Sequence, residues 1–488
     1  MTKHSILFSL IVSALAIGVT RGAVERRNAL RGAGALAAKD QPSQVPTNSQ
    51  PVPASTQTTI TEAAEVDDFL DLFRGRPASR LRALGNIESR WHPGNTVMLV
   101  ECLRLLRHQG TGKAVQNLLQ KKTGYTRAKD LNDWFRWVWQ QSYERHPRYA
   151  TFKAKLYSRI DPRFRDYFND SYAAKIRLDE IRWGGVRRDG IPPLKNPRLI
   201  SADKATYLDK ANVVFGLENN GDARAYPKRI LAWHEMVKET LGDTSINGAY
   251  CTLCGSMIVY STRVDGVHYE LGTSGFLYRS NKLMYDKKTK SLWSTLTGEP
   301  VVGPLVDKQI KLKRIGVVTT TWGRWRRQHP DTKVLSLATG HRRNYDEGVA
   351  YRNYFSNDNL MFSVPLRDTR LKNKAEVLAL RVADPSDERL AISADFLLKN
   401  PLYHDSIGTV SFVVLTDPSG ANRVYETGAR RFTSWNPDAN SVDEEDRTWK
   451  ISEAELTSPT GDSLTRLPAH RAFWFGWHAA YPKTRLVR

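Results

Sequence analysis

Cysteine is scarce in this chain, 3 residues in 488, so any thiol chemistry has to be drawn from Cys102, Cys251 and Cys254. None of them lies near the amino terminus, which excludes attachment as a bacterial lipoprotein. Long hydrophobic runs are missing too: beyond Ile6 to Val19, itself short for a span, no stretch is apolar and long enough to cross a bilayer. Acidic residues are outnumbered, 51 against 73 Lys and Arg, leaving a formal charge of +22. Such an excess favours polyanionic partners in principle. The basic residues are scattered, however, without a long run or a recognisable nucleic-acid motif, so they read as a solvated surface and nucleic acid is not an expected partner. Catalytic signatures are absent as well. There is no Gly-x-Ser-x-Gly nucleophile elbow and no His-Glu-x-x-His helix, and Gly272-Thr-Ser-Gly275 lacks the Lys-Ser/Thr of a phosphate-binding loop.

The hydrophobic 40% of the chain supplies a substantial core, and the length suggests several domains. Residues 1–23 read as a signal peptide or anchor, because Lys3 and His4 precede the apolar run and the small residues Gly22 and Ala23 follow it. Arg21 departs from the usual small-x-small cleavage pattern, so an uncleaved leader is the one expected route to a membrane. Either form implies export, to a periplasmic or extracellular location. Residues 24–64 form a linker whose Pro, Ser, Thr and Gln offer no apolar periodicity to offset the entropy of ordering.

Residues 65–175 carry a helical pattern. Val97 to Leu106, Val115 to Leu119, and Leu131 to Val138 mark three helices, the last with Asp130 as N-cap. Cys102 and the aromatic group Trp134, Phe135, Trp137 and Trp139 fall at core spacing. Beyond residue 176 strands dominate, so the fold class is α+β. One helix is expected from Pro227 to Leu241, stopped by Gly242, and a hairpin is expected around Asp265-Gly266.

This strand-rich part repeats itself. Trp322-Gly-Arg-Trp325 through Pro330 and Thr332 is matched by Trp474-Phe-Gly-Trp477 through Pro482 and Thr484, and Ala225 to Gly242 has the length of Ala391 to Gly408. A first unit over 176–370 and a second, degenerate unit over 371–488 follow from this. Aligned without gaps, His234 falls on Asn400, Cys251 on Asp417 and Cys254 on Gly420. The second unit therefore lacks all three residues, which argues that the first carries the chemistry.

Cys251-Thr-Leu-Cys254-Gly255 is that chemistry's centre. Cys-x-x-Cys-Gly is half of a tetrahedral thiolate site, with Gly permitting the turn, and His234 is the first candidate for a further ligand. Zinc or copper is the ion such a set would suit; Met284 and His268 are weaker ligand candidates. Two alternatives stand beside a metal: a redox thiol pair, although the strand-like Ser256 to Tyr260 removes a thioredoxin-type helix, and a structural disulfide in a noncatalytic binding or scaffold protein. Glu235, Tyr278, Asn281, Met284 and Asp286 are expected to line a pocket for an unidentified small molecule or protein. The residues name no reaction.

The motifs Gly221-Asp-Ala-Arg-Ala-Tyr-Pro, Trp233-His-Glu, Tyr250-Cys-Thr-Leu-Cys-Gly, Gly272-Thr-Ser-Gly-Phe-Leu-Tyr-Arg-Ser-Asn, Met284-Tyr-Asp and Ser291-Leu-Trp resemble the family called domain of unknown function 3179. The resemblance covers about residue 176 to the end, and the helical part is similar to the amino-terminal extension of longer members. It implies export and no assigned reaction. At Gly348-Val-Ala350-Tyr351 the chain has Ala where the family pattern has Pro, in a loop expected to lie away from the site.

Overall fold

In the computed structural model, residues 65–488 are described apart from 143 and 383–386. The leader and linker expected over residues 1–64 lie outside the described residues. Helices Asn95–Leu105, Gln109–Thr123 and Leu131–Trp139 stand where the apolar spacing predicts them. The Asp130 carboxylate accepts the Asp133 N–H, satisfying a donor that the first helical turn leaves open. Cys102 is fully buried, and so are Trp134 and Phe135. This helical layer shares one core with the strands that follow it, through Ile181, Phe276, Leu283 and Leu292. Among the described residues no helix is long and apolar enough to cross a membrane.

The fold beyond the helices is α+β, built from antiparallel sheets with single parallel pairings. One sheet runs in the order Val318–Thr321, Val213–Asn219, Asp222–Pro227, Lys333–Leu335, Leu199–Ser201. Later in the chain, Ala469–Phe473, Glu376–Leu380, Leu390–Ser393 and Arg485–Val487 stand in one sheet in that order. Its parallel pairing of Leu390 with Arg485 matches that of Arg224 with Lys333. In both places a short helix begins with two tryptophans, and the second, Trp325 or Trp477, donates its indole N–H to Thr332 or Thr484 at 2.9 Å.

The expected helix from Pro227 to Leu241 is half right. Helix covers only Lys228–His234, and Met236–Leu241 is a strand paired antiparallel with Thr244–Cys251. Glu235 causes the break, since its φ of 55° is left-handed and ends the helix. The apolar positions Ile230, Val237 and Leu241 fit a helical face as well as a strand, and pairing with the neighbouring strand decides between them. The Asp265-Gly266 turn is as expected, with both residues at positive φ between the short strands Arg263–Val264 and Val267–His268.

Candidate thiol site

The strands Thr244–Cys251 and Ser256–Ser261 pair up to Cys251 opposite Ser256, so Thr252 to Gly255 form a tight hairpin loop. The Cys254 N–H closes it on the Cys251 carbonyl at 3.1 Å. Gly255 is required here twice over: its φ is 61°, and a Cβ would lie 2.9 Å from the Phe473 ring. This turn aims both sulfurs at one acceptor, the Ser280 carbonyl, 3.2 Å from Cys254 Sγ and 3.9 Å from Cys251 Sγ. Both cysteines are free thiols, 3% and 1% exposed.

Their environments push the two thiols apart. A hydrogen bond from Cys254 holds the Cys251 thiol below its ordinary range, against the opposing pull of burial and the Glu235 charge. Burial, reinforced by the hydrogen bond to Cys251, drives the Cys254 thiol far up. Cys251 is thus the more acidic of the two thiols and Cys254 the less acidic.

The left-handed backbone at Glu235 brings its carboxylate to this turn. Its carbonyl accepts the Tyr250 N–H at 2.9 Å, fastening the helix end to the strand that delivers Cys251. Oε2 pairs with Lys282 Nζ at 2.8 Å, and Oε1 accepts from the Thr252 hydroxyl at 3.2 Å and the Tyr351 hydroxyl at 3.3 Å. Lys282 comes from Asn281–Asp286, a strand buried along its whole length. The turn is fastened further by the Tyr354 hydroxyl on the Leu253 carbonyl at 2.7 Å and by the Phe473 N–H on the Cys254 carbonyl at 2.7 Å.

His234 is not at this site. Its Nδ1 meets the Pro192 carbonyl at 2.8 Å and its Nε2 the Tyr345 hydroxyl at 2.6 Å, so both ring nitrogens are committed. Burial lowers its pKa to about 4, which fits a neutral ring donating to Pro192 and accepting from Tyr345. Of the other candidates, Asn281 borders the site, its amide donating to the Gly476 carbonyl at 2.9 Å. Asp286 is occupied in the following turn by Thr289, the Lys288 N–H and Trp293. Met284 is buried against Asn247, Tyr278 packs on the helical core, and His268 is exposed.

A metal ion fits these donors poorly. Among the described residues no group of three or more His, Cys, Asp or Glu is arranged to hold one. Two thiols are present, but His234 is spent elsewhere and Glu235 is paired with Lys282. Sequence reasoning missed Lys282, Thr252, Ser280 and Tyr351. The available signal was Lys282 itself, a lone cation inside a strand that otherwise reads as core. Tyr351 also reverses the expectation that its loop lies away from the site.

The family described as Protein of unknown function (DUF3179) matches residues 188–484. No curated protein matches the chain, and no solved structure does.

Proposed function

The chain belongs to the DUF3179 family, and from its thiol site we propose that it is a dithiol–disulfide redox protein acting through Cys251 and Cys254. The observation that carries this reading is the convergence of both sulfurs on the Ser280 carbonyl, with the two thiols shifted in opposite directions. Cys251 attacks one sulfur of an external disulfide as thiolate and releases the other as a thiolate. Cys254, losing its proton, then attacks the Cys251 sulfur, expels the second arm as a thiolate, and leaves an internal disulfide. Two electrons pass from the protein to the partner, and the reverse sequence reduces the protein.

Burial of both sulfurs favours a small partner. A cavity of about 110 Å³ adjoins the turn at Tyr250 and Gly255, with Lys228, Arg471 and Glu376 on its other walls and neither cysteine in its lining. The leader-like amino terminus favours an extracytoplasmic setting, where such exchange is sustained. We also infer that 176–370 and 371–488 are copies of one unit; the recurring strand order and Trp–Thr bonds support it.

Equilibration in dithiothreitol buffers, followed by alkylation and mass spectrometry, tests the redox reading. The expected result is a reversible two-electron transition confined to Cys251 and Cys254, lost in Cys251→Ser and in Cys254→Ser. Thiols that stay reduced, or a disulfide that stays closed, across the whole range would sink it.

A further inference from the structure

Closing the internal disulfide requires the Cys254 proton to leave, and the site makes that hard. Cys254 is fully buried, and its S–H is directed at the Ser280 carbonyl, a group that accepts a hydrogen bond but cannot take a proton. A base inside the site is therefore needed.

We propose that Glu235, held by Lys282, is the proton acceptor that allows Cys254 to close onto Cys251. This rests on the redox reading above. The carboxylate is anchored to the turn that carries both sulfurs, through the Thr252 hydroxyl on Oε1. Thr252 is completely buried, so bulk water does not supply an alternative base at that point. Lys282 Nζ, 2.8 Å from Oε2, supplies the partner that a buried carboxylate needs.

The backbone supports the assignment. A left-handed conformation, as at Glu235 with its φ of 55°, is strained for a residue with a Cβ. In the ungapped alignment Glu235 falls on Pro401, whose ring forbids that conformation. The strand that follows nevertheless pairs in the same register, Met236 with Ala249 and Leu402 with Leu415. The left-handed residue is thus unnecessary for the strand pairing, and its effect is to deliver a carboxylate to Thr252, inside the turn between the two cysteines.

In the first step Cys251 thiolate displaces one arm of the external disulfide. In the second, the Cys254 proton moves to Glu235, the Cys254 sulfur bonds to Cys251 sulfur, and the remaining arm departs with the electron pair of the broken bond. On reduction the carboxylate returns the proton.

The test uses dithiobis(nitrobenzoate) as the disulfide, on the full chain carrying Cys102→Ala, with thiolate release followed by stopped flow across pH. The unaltered site should release two thiolates per chain, the second on closure. Glu235→Gln should slow that second release about 100-fold near neutrality, with a rate that climbs with hydroxide and shows no plateau. Glu235→Asp should restore much of the rate. Lys282→Met should move the plateau to higher pH, and it carries the test if Glu235→Gln fails to fold. Closure in Glu235→Gln at the unaltered rate and pH profile overturns the assignment, as does equal slowing in Gln and Asp variants with an unaltered profile. Fewer than two thiolates from the unaltered site overturns the redox reading itself.

Discussion

Two hairpin turns, one in each strand-rich part, make the most instructive comparison in this molecule. At Asp417 to Gly420 the turn closes by the Gly420 N–H on the Asp417 carbonyl at 2.8 Å, as the cysteine turn closes at 3.1 Å. The Asp417 carboxylate then binds its own turn, accepting from the Ser419 N–H, the Ser419 hydroxyl and the Ala421 N–H. Its other oxygen meets Arg324 Nε at 3.2 Å. That turn is held from within by a carboxylate whose hydrogen-bonding capacity is used up. The cysteine turn is held from outside, by Glu235, Tyr354 and Phe473, and its sulfurs reach away from the turn's own backbone, to the Ser280 carbonyl. A residue that stabilises its own turn has no freedom to react, whereas one supported by neighbours keeps it.

The sharpest way to break this comparison is to remove the key side chain from each turn. Asp417→Ala leaves Arg324 and Arg423 short of a buried partner and should cost about 3 kcal/mol by urea unfolding. Cys251→Ala should cost far less, and equal losses would refute the contrast. A second prediction concerns pH. Burial lowers the His234 pKa to about 4, so the folded ring stays neutral while the unfolded one takes up a proton below about 6.5. Its contribution to stability is present above pH 6.5 and is lost as pH falls toward 4. The stability difference between the wild type and His234→Asn, the residue found at position 400, should therefore shrink by about 2 kcal/mol between roughly pH 7 and 5. A pH-independent difference would show that His234 does not titrate in this way. The smallest effect is the most symmetrical. Thr332→Val and Thr484→Val each leave a buried indole N–H unpaired and should each cost about 1–2 kcal/mol. Markedly unequal losses would count against the two parts being copies.

Much of this was legible in the sequence where local chemistry and tertiary structure agree. Asp130 caps its helix because a short carboxylate before an apolar run does so in any context. Asp265-Gly266 turns its hairpin for an equally local reason. The cysteine turn was readable as a turn between strands. What could not be read was direction. His234 and Glu235 are adjacent, and regular helix geometry favours His234 because it shares an apolar face with Ile230. A single left-handed residue reverses that choice, sending Glu235 to Thr252 in the cysteine turn and His234 to Pro192 and Tyr345. Lys282 escaped for another reason: its partner lies 47 positions away, and one-dimensional periodicity carries no sign of that pairing.

The last helix, Trp474–Ala480, covers the thiol turn: a Cβ on Gly476 would lie 3.1 Å from the Cys254 sulfur, and its carbonyl receives Asn281 from 195 positions upstream. Order of synthesis thereby becomes part of the chemistry. While the chain is being made, the two cysteines emerge long before the segment that shields them, and they meet their surroundings as ordinary exposed thiols. Only when the final helix docks is the Cys254 sulfur covered on that side, so newly made protein is more open to adventitious oxidation than the finished protein.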